Sequence, residues 1–138
     1  NGGKMSKSAN NVINIFLDDK ALRKQIMSIE TDSTPLEDPK NPDTCNAFAI
    51  YKLLATEAQI TTMRANYLGG NYGYGHAKQA LFELIVGKFK TERERYNYYI
   101  NNLTEVDALL KQGAEKAAGI ANGVLDRVRL KLGFESLQ

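Results

Sequence analysis

The sequence predicts an all-α protein organised as a helical bundle, on three observations. Apolar residues recur three or four positions apart along most of the chain, which is the period of one helix face. No stretch of any length shows the apolar–polar alternation of a half-buried strand. Helix starts and stops are marked by Thr-x-x-Gln or Thr-x-x-Glu boxes and by glycines. Short connections between the helices favour antiparallel neighbours and therefore a compact bundle.

The first predicted helix covers residues 20–30, and Asp18 and Asp19 place negative charge at its N-terminus. Its apolar face is formed by Leu22, Ile26 and Ile29. Residues 31–44 follow and contain all three prolines of the chain. Because proline fixes φ and lacks an N–H donor, this segment is predicted to be an extended linker, and we expect a subdomain joint there.

The middle of the chain carries three further helix signals. Residues 47–55 form an apolar stripe at helical spacing. Thr56 and Gln59 form a capping box that predicts a helix start, and Gly69 predicts its end. The next helix is predicted from Ala77 to near Gly87.

Two start signals predict the remaining helices. Thr91 and Glu94 form a second capping box, and residues 104–107 form a third start signal. The third signal precedes the longest helix of the chain, which is predicted to end at Gly133.

Composition excludes several classes of protein. The 138 residues are 43% hydrophobic and 25% charged, as in an ordinary globular domain, and the net charge of +2 argues against a protein that coats DNA. No apolar run approaches the roughly 20 residues that span a bilayer, so no membrane partner is expected. A single cysteine, Cys45, fits a reducing compartment such as the cytoplasm and predicts a small buried side chain. The only histidine, His76, lacks partners at ligand spacing, so we predict a capping role and no metal site.

The residues best suited to chemistry stand near the start of the sequence. Lys4-Met5-Ser6-Lys7-Ser8 follows two glycines and combines two ammonium groups with two hydroxyls. Glycine lets a backbone approach a ligand closely, and lysines present donors to phosphate oxygens. A solvated basic segment is the alternative for an arbitrary Lys-x-x-Lys pattern.

A second group of residues combines lysines and arginines with tyrosines. In proteins that bind single-stranded RNA, aromatic rings stack on the bases and the cations contact the phosphates. The candidate RNA-contacting residues of this group are Lys78, Arg93, Arg95 and Tyr96. Glu92 and Glu94 alternate with the arginines, so a solvated helix start with tyrosines in the core is the alternative.

The five residues Lys4 to Ser8 resemble the second signature loop of class I aminoacyl-tRNA synthetases, KMSKS. The resemblance implies a loop beside the nucleotide site that binds the ATP phosphates while an amino-acid carboxylate attacks the α-phosphate. It implies catalytic roles for Lys7 and then Lys4, and a loop-shaping role for Met5, Ser6 and Ser8. ATP and Mg²⁺ are then substrates, and the loop belongs to a Rossmann catalytic domain that is otherwise not part of this sequence.

Later motifs extend the resemblance to the C-terminal part of bacterial tryptophanyl-tRNA synthetases, from about residue 4 to Phe134. They are Asn10-Asn11, Thr31-Asp32-Ser33, Gly73-Tyr74-Gly75-His76, Glu94-Arg95-Tyr96 and Gly113-Ala114-Glu115. Residues 34–46 depart from the pattern of many bacterial relatives, which puts the transfer of contacts there in doubt.

This second resemblance implies a fragment in two parts. Residues 1–17 would be the signature loop and its connection, and residues 18–138 a C-terminal helical domain that binds the tRNA anticodon. The parent enzyme would use L-tryptophan, ATP and tRNA(Trp), would form a homodimer through a surface absent here, and the fragment alone would be inactive. Two alternatives stay open: a non-catalytic helical RNA-binding module, and a fragment of a tyrosine-specific class I synthetase.

Overall fold

The fold was obtained as a computed structural model, which describes residues 3–9 and 11–134. In that part of the chain every regular element is helical, which confirms the all-α prediction. The elements are α1 (Asp19–Met27), a 3₁₀ turn (Pro42–Thr44), α2 (Asn46–Leu54), α3 (Glu57–Gly69), α4 (Tyr74–Lys88), α5 (Lys90–Ile100) and α6 (Leu103–Leu132).

The chain divides into two compact units, residues 1–94 and residues 95–138. The predicted subdomain joint at residues 31–44 is therefore wrong, because this segment lies inside the first unit. The proline-rich segment is not helical except for the 3₁₀ turn, as predicted. The predicted division after residue 17 also lies inside the first unit, and as a functional boundary it stays a prediction.

The first unit contains the core, because α1 and α2 both pack against α4. Its six largest fully buried side chains are Leu22, Ile26, Phe48, Tyr67, Leu81 and Ile85. A side chain of this kind contributes roughly 1.5–3 kcal/mol when it is removed from water. Apolar burial thus holds α1, α2 and α4 together, and the segment that follows Lys4–Ser8 packs against this core.

Local capping explains several helix boundaries. Asp18 accepts a hydrogen bond from the Ala21 N–H and begins α1. Thr56 and Gln59 form the predicted capping box, with Gln59 Oε1 2.9 Å from the Thr56 N–H. These two starts confirm the sequence predictions.

The predicted capping box at Thr91 is wrong. Only Phe89 separates α4 from α5, and its carbonyl already accepts the Arg93 N–H at 2.9 Å, so Thr91 lies inside α5. The longest helix likewise starts one residue before Thr104, after Asn102.

In the second unit α6 is amphipathic, and none of its residues is buried. Its exposed apolar side chains include Leu110, Ile120, Val124, Leu125 and Val128. Gly133 ends the helix with a left-handed backbone at φ 77°, as predicted. Among the described residues, the buried core is therefore confined to the first unit.

Candidate nucleotide-binding loop

The segment from Lys4 to Ala9 is a closed turn. The Asn11 side chain accepts a hydrogen bond from the Ser6 N–H at 2.8 Å and donates one to the Lys4 carbonyl at 3.2 Å. The Ser6 hydroxyl accepts from the Ala9 N–H at 3.1 Å and lies 3.2 Å from the Ser8 hydroxyl. The Ser6 N–H is thus hydrogen-bonded to Asn11, and the Ala9 N–H to the Ser6 hydroxyl.

The two ammonium groups of the loop point to solvent. Lys4 and Lys7 are both exposed. Across residues 3–9 and 11–134, no carboxylate lies within ion-pair distance of either one. Two compact cations three residues apart on a closed turn can bind neighbouring oxygens of a polyphosphate.

An open cavity of about 400 Å³ lies beside the loop. Met5 and Asn11 line its loop side, while Gln25 and Ile50 line the side formed by α1 and α2. Met5 itself is 46% exposed. The loop therefore borders a cavity with both polar and apolar walls.

The connection behind the loop is bonded to two helices of the first unit. The Asn14 N–H donates to Gln25 of α1 at 3.0 Å. The Arg93 guanidinium, on α5, donates to the Ile15 carbonyl at 2.6 Å and to Asp19 at 2.5 Å. Because the Arg93 side chain is only 14% exposed, its bond to the Ile15 carbonyl is partly shielded from water and restrains the connection.

The four predicted RNA-contacting residues are divided between the two units. Lys78 and Arg93 belong to the first unit and Arg95 and Tyr96 to the second. Lys78 donates to the Met27 carbonyl at 3.2 Å, so it and Arg93 both serve contacts within the chain. Arg95 and Tyr96 are exposed on α5.

Two polar side chains of the proline-rich segment, the exposed Asp32 and the buried Lys40, were not predicted as functional. Asp32 accepts the Tyr74 hydroxyl at 2.7 Å and the Thr34 N–H at 2.9 Å. The hydrogen bonds from Thr34, followed by that from Tyr74, lower the pKa of the Asp32 carboxyl. Burial, followed by the bond to Asp32, raises the pKa of Tyr74 to about 12, so the phenol stays protonated and serves to position Asp32.

Lys40 is the second such group, and only 3% of its surface is exposed. Its ammonium donates to the carbonyls of Pro35, Leu36 and Asp38 at 2.6, 3.2 and 3.0 Å. A buried charge needs such partners, and here they close the proline-rich segment around it. No local pattern in the sequence signals this cage.

The remaining single-residue predictions concern His76 and Cys45. The His76 Nδ1 accepts the Gly73 N–H at 3.3 Å, which confirms a capping role at the start of α4. Cys45 is buried beside the Tyr67 hydroxyl at 3.3 Å, as expected for a small core side chain. Burial, followed by that contact, raises the pKa of the Tyr67 phenol well above its ordinary value.

The described ranges, which leave out residues 1, 2, 10 and 135–138, hold no group of three His, Cys, Asp or Glu side chains arranged to bind a metal ion. Within the same ranges no helix combines the length and apolarity needed to cross a bilayer.

A closed turn with two exposed lysines thus precedes the helices of an all-helical unit. The sequence profile of the family described as tRNA synthetases class I (W and Y) matches residues 1–90, and the chain belongs to this family. Several similar curated relatives are tryptophan–tRNA ligases. That of Campylobacter jejuni strain RM1221 is 44% identical over 133 residues, which cover 96% of this chain and 42% of the relative. That of Fusobacterium nucleatum is 47% identical over 120 residues, which cover 87% of this chain and 37% of the relative.

A solved structure gives the same result. The tryptophanyl-tRNA synthetase of Campylobacter jejuni, complexed with ADP and tryptophan, matches with a TM-score of 0.92 and 44% identity over 96% of this chain. The match covers 42% of that protein's chain. This chain therefore spans about two fifths of the length of the relatives it matches, and the resemblance drawn from the sequence is confirmed.

Proposed function

We propose that this chain supplies the ATP-phosphate-binding loop and a tRNA-binding helical part of a tryptophan–tRNA ligase. The observation that carries the proposal is the closed turn that presents the Lys4 and Lys7 ammonium groups to solvent. The names of the relatives support tryptophan as the amino acid. The proposal includes a cytoplasmic, homodimeric full-length enzyme whose dimer surface lies outside residues 1–138.

The proposed reaction joins tryptophan to AMP. A tryptophan carboxylate oxygen forms a bond to the α-phosphorus of ATP, and the bond from that phosphorus to the bridging oxygen breaks, so that pyrophosphate leaves. Mg²⁺ enters with ATP as part of the substrate and neutralises phosphate charge. Negative charge grows on the leaving pyrophosphate oxygens in the transition state.

Lys7 and Lys4 contribute by binding these oxygens as their charge develops. A preorganised donor of this kind typically lowers the barrier by roughly 3–4 kcal/mol. Met5, Ser6 and Ser8 shape the loop around the phosphates. The loop thus acts on the transition state more than on the ground state, so it should affect kcat more than the affinity for tryptophan.

The test is tryptophan-dependent ATP–pyrophosphate exchange by the full-length protein. Lys7→Ala should lower the exchange rate by about 10²–10³-fold with little change in the KM for tryptophan. Lys20→Ala is the matched control, because Lys20 is an exposed lysine on α1 away from the loop. An unchanged rate in Lys7→Ala would refute the role of the loop, and exchange driven by tyrosine would favour the tyrosine-specific alternative.

The second candidate function, RNA binding without chemistry, is favoured by the exposed Arg95 and Tyr96 on α5. Filter binding of tRNA(Trp) at two salt concentrations measures it, since phosphate contacts weaken as salt rises. Arg95→Ala should weaken binding several-fold. A full-length protein that binds this tRNA but shows no exchange would replace the catalytic proposal with this one.

A further inference from the structure

The amide of Asn11 makes two hydrogen bonds to the signature loop. Its oxygen accepts the Ser6 N–H at 2.8 Å, and its nitrogen donates to the Lys4 carbonyl at 3.2 Å. One half-buried side chain therefore joins two backbone groups that stand five and seven residues before it. Asparagine suits this position because it carries a donor and an acceptor on one planar group, whereas aspartate lacks the donor.

The chain that follows Asn11 is held in place by two hydrogen bonds. Three residues further on, the Asn14 N–H donates to Gln25 of α1 at 3.0 Å. The Arg93 guanidinium holds the next carbonyl, that of Ile15. Asn11 thus links a loop whose ammonium groups reach into solvent to a connection that is bonded to α1 and α5.

A loop that binds phosphate must give up backbone freedom, which costs roughly 1–2 kcal/mol for each residue that becomes fixed. Because Asn11 already restrains the backbone from Lys4 to Ser6, part of this conformational entropy is lost before ATP binds. The backbone that carries Lys4 and Lys7 then has fewer conformations to lose when the two ammonium groups bind the triphosphate.

We infer that Asn11 is a positioning residue for activation of the amino acid, which acts by holding the loop so that Lys7 and Lys4 reach the triphosphate. The inference rests on the proposed function, since it presumes the reaction. Asn11 does not itself touch the reacting atoms, so its effect must pass through the two lysines.

The test compares Asn11→Ala with the native full-length protein in tryptophan-dependent ATP–pyrophosphate exchange. Loss of two hydrogen bonds should lower kcat by about 30-fold, while the KM for tryptophan stays within about twofold. Asn14→Ala is the matched control. The Asn14 side chain accepts the neighbouring Phe16 N–H at 3.0 Å, so its removal costs a similar local bond but none to the loop.

A double-mutant cycle separates positioning from a general loss of structure. In the Lys7→Ala background, Asn11→Ala should lower kcat by only about fivefold, because the group that it positions is gone. Equal fold-losses in the two backgrounds, or a native rate in Asn11→Ala, would overturn the inference while leaving the role of Lys7 intact. If the native protein shows no exchange, or Lys7→Ala loses nothing, it is the proposed function that fails.

Discussion

Replacing Arg93 with alanine removes two hydrogen bonds, one to the connection behind the loop and one to the first residue of α1. The guanidinium donates to the Ile15 carbonyl at 2.6 Å and to Asp19 at 2.5 Å, and 14% of the side chain is exposed. The substitution leaves the Ile15 carbonyl without its donor. We expect residues 11–27 to open more often without unfolding of the whole unit.

The free energy that each Arg93 hydrogen bond contributes depends on how exposed its acceptor is to water. A hydrogen bond from a charged donor to a shielded carbonyl contributes roughly 1.5–3 kcal/mol. The Asp19 side chain is 67% exposed, so its ion pair with Arg93 contributes only roughly 0.2–1 kcal/mol. The total is about 2–4 kcal/mol, which corresponds to an open state that is about 30- to 900-fold more populated, at about 1.36 kcal/mol for each factor of ten.

Hydrogen exchange read by mass spectrometry on peptides that cover residues 11–27 measures this opening. Arg93→Ala should speed exchange by the factor given above, whereas Asp19→Asn should speed it by no more than about fivefold. Arg23→Ala is the matched control, because its exposed side chain makes one hydrogen bond, to Gln79 at 2.9 Å. Equal effects of the Arg93 and Asp19 substitutions would show that the shielded carbonyl contributes nothing, and would refute the reasoning.

Two further predictions concern the proline-rich segment. Hydrogen bonds from Thr34 and Tyr74 lower the pKa of Asp32 below its ordinary 3.8, so the ionised carboxylate stabilises the fold fully above about pH 4, and this contribution is lost as the pH falls through the lowered value. Asp32→Asn should therefore lower the urea midpoint at pH 6, and the difference should shrink progressively as the pH falls below 3.8; a difference that stays constant would contradict the assignment. Gly70→Ala should destabilise by at least about 1 kcal/mol, because φ is +73° and a Cβ would lie 2.5 Å from the Glu37 carbonyl oxygen. Gly75→Ala, where a Cβ meets nothing within 4 Å, is the control for thermal melting, and equal losses would refute the steric argument.

Sequence patterns predicted those elements whose causes are local. The capping box of Thr56 and Gln59 needs only residues three positions apart, and the left-handed glycine at Gly133 needs only its own backbone. The Thr91 box failed because Phe89 already joins α4 to α5, and its carbonyl accepts the Arg93 N–H. A capping pattern at Thr91 does not show that the helix already begins at Lys90, directly after Phe89.

In the candidate site, too, features that depend on adjacent residues were predictable from the sequence, and contacts between distant residues were not. The Lys4–Ser8 motif was recognisable because its residues are adjacent. The partners of Arg93 stand 78 and 74 residues away, so the sequence could indicate an available cation but not its engagement with Ile15 and Asp19. Asn11 was visible only as part of a motif, since its bonds to the loop depend on how the turn closes.

The cage around Lys40 has a practical consequence for experiments that map RNA contacts by acylating lysines. An amine whose three hydrogens are directed at the carbonyls of Pro35, Leu36 and Asp38 reacts slowly with such reagents, whether or not RNA is bound. Low labelling at Lys40 would therefore imitate a footprint. Only lysines that are labelled in the free protein and lose their label with RNA, such as exposed Lys111 or Lys116 on α6, can report binding.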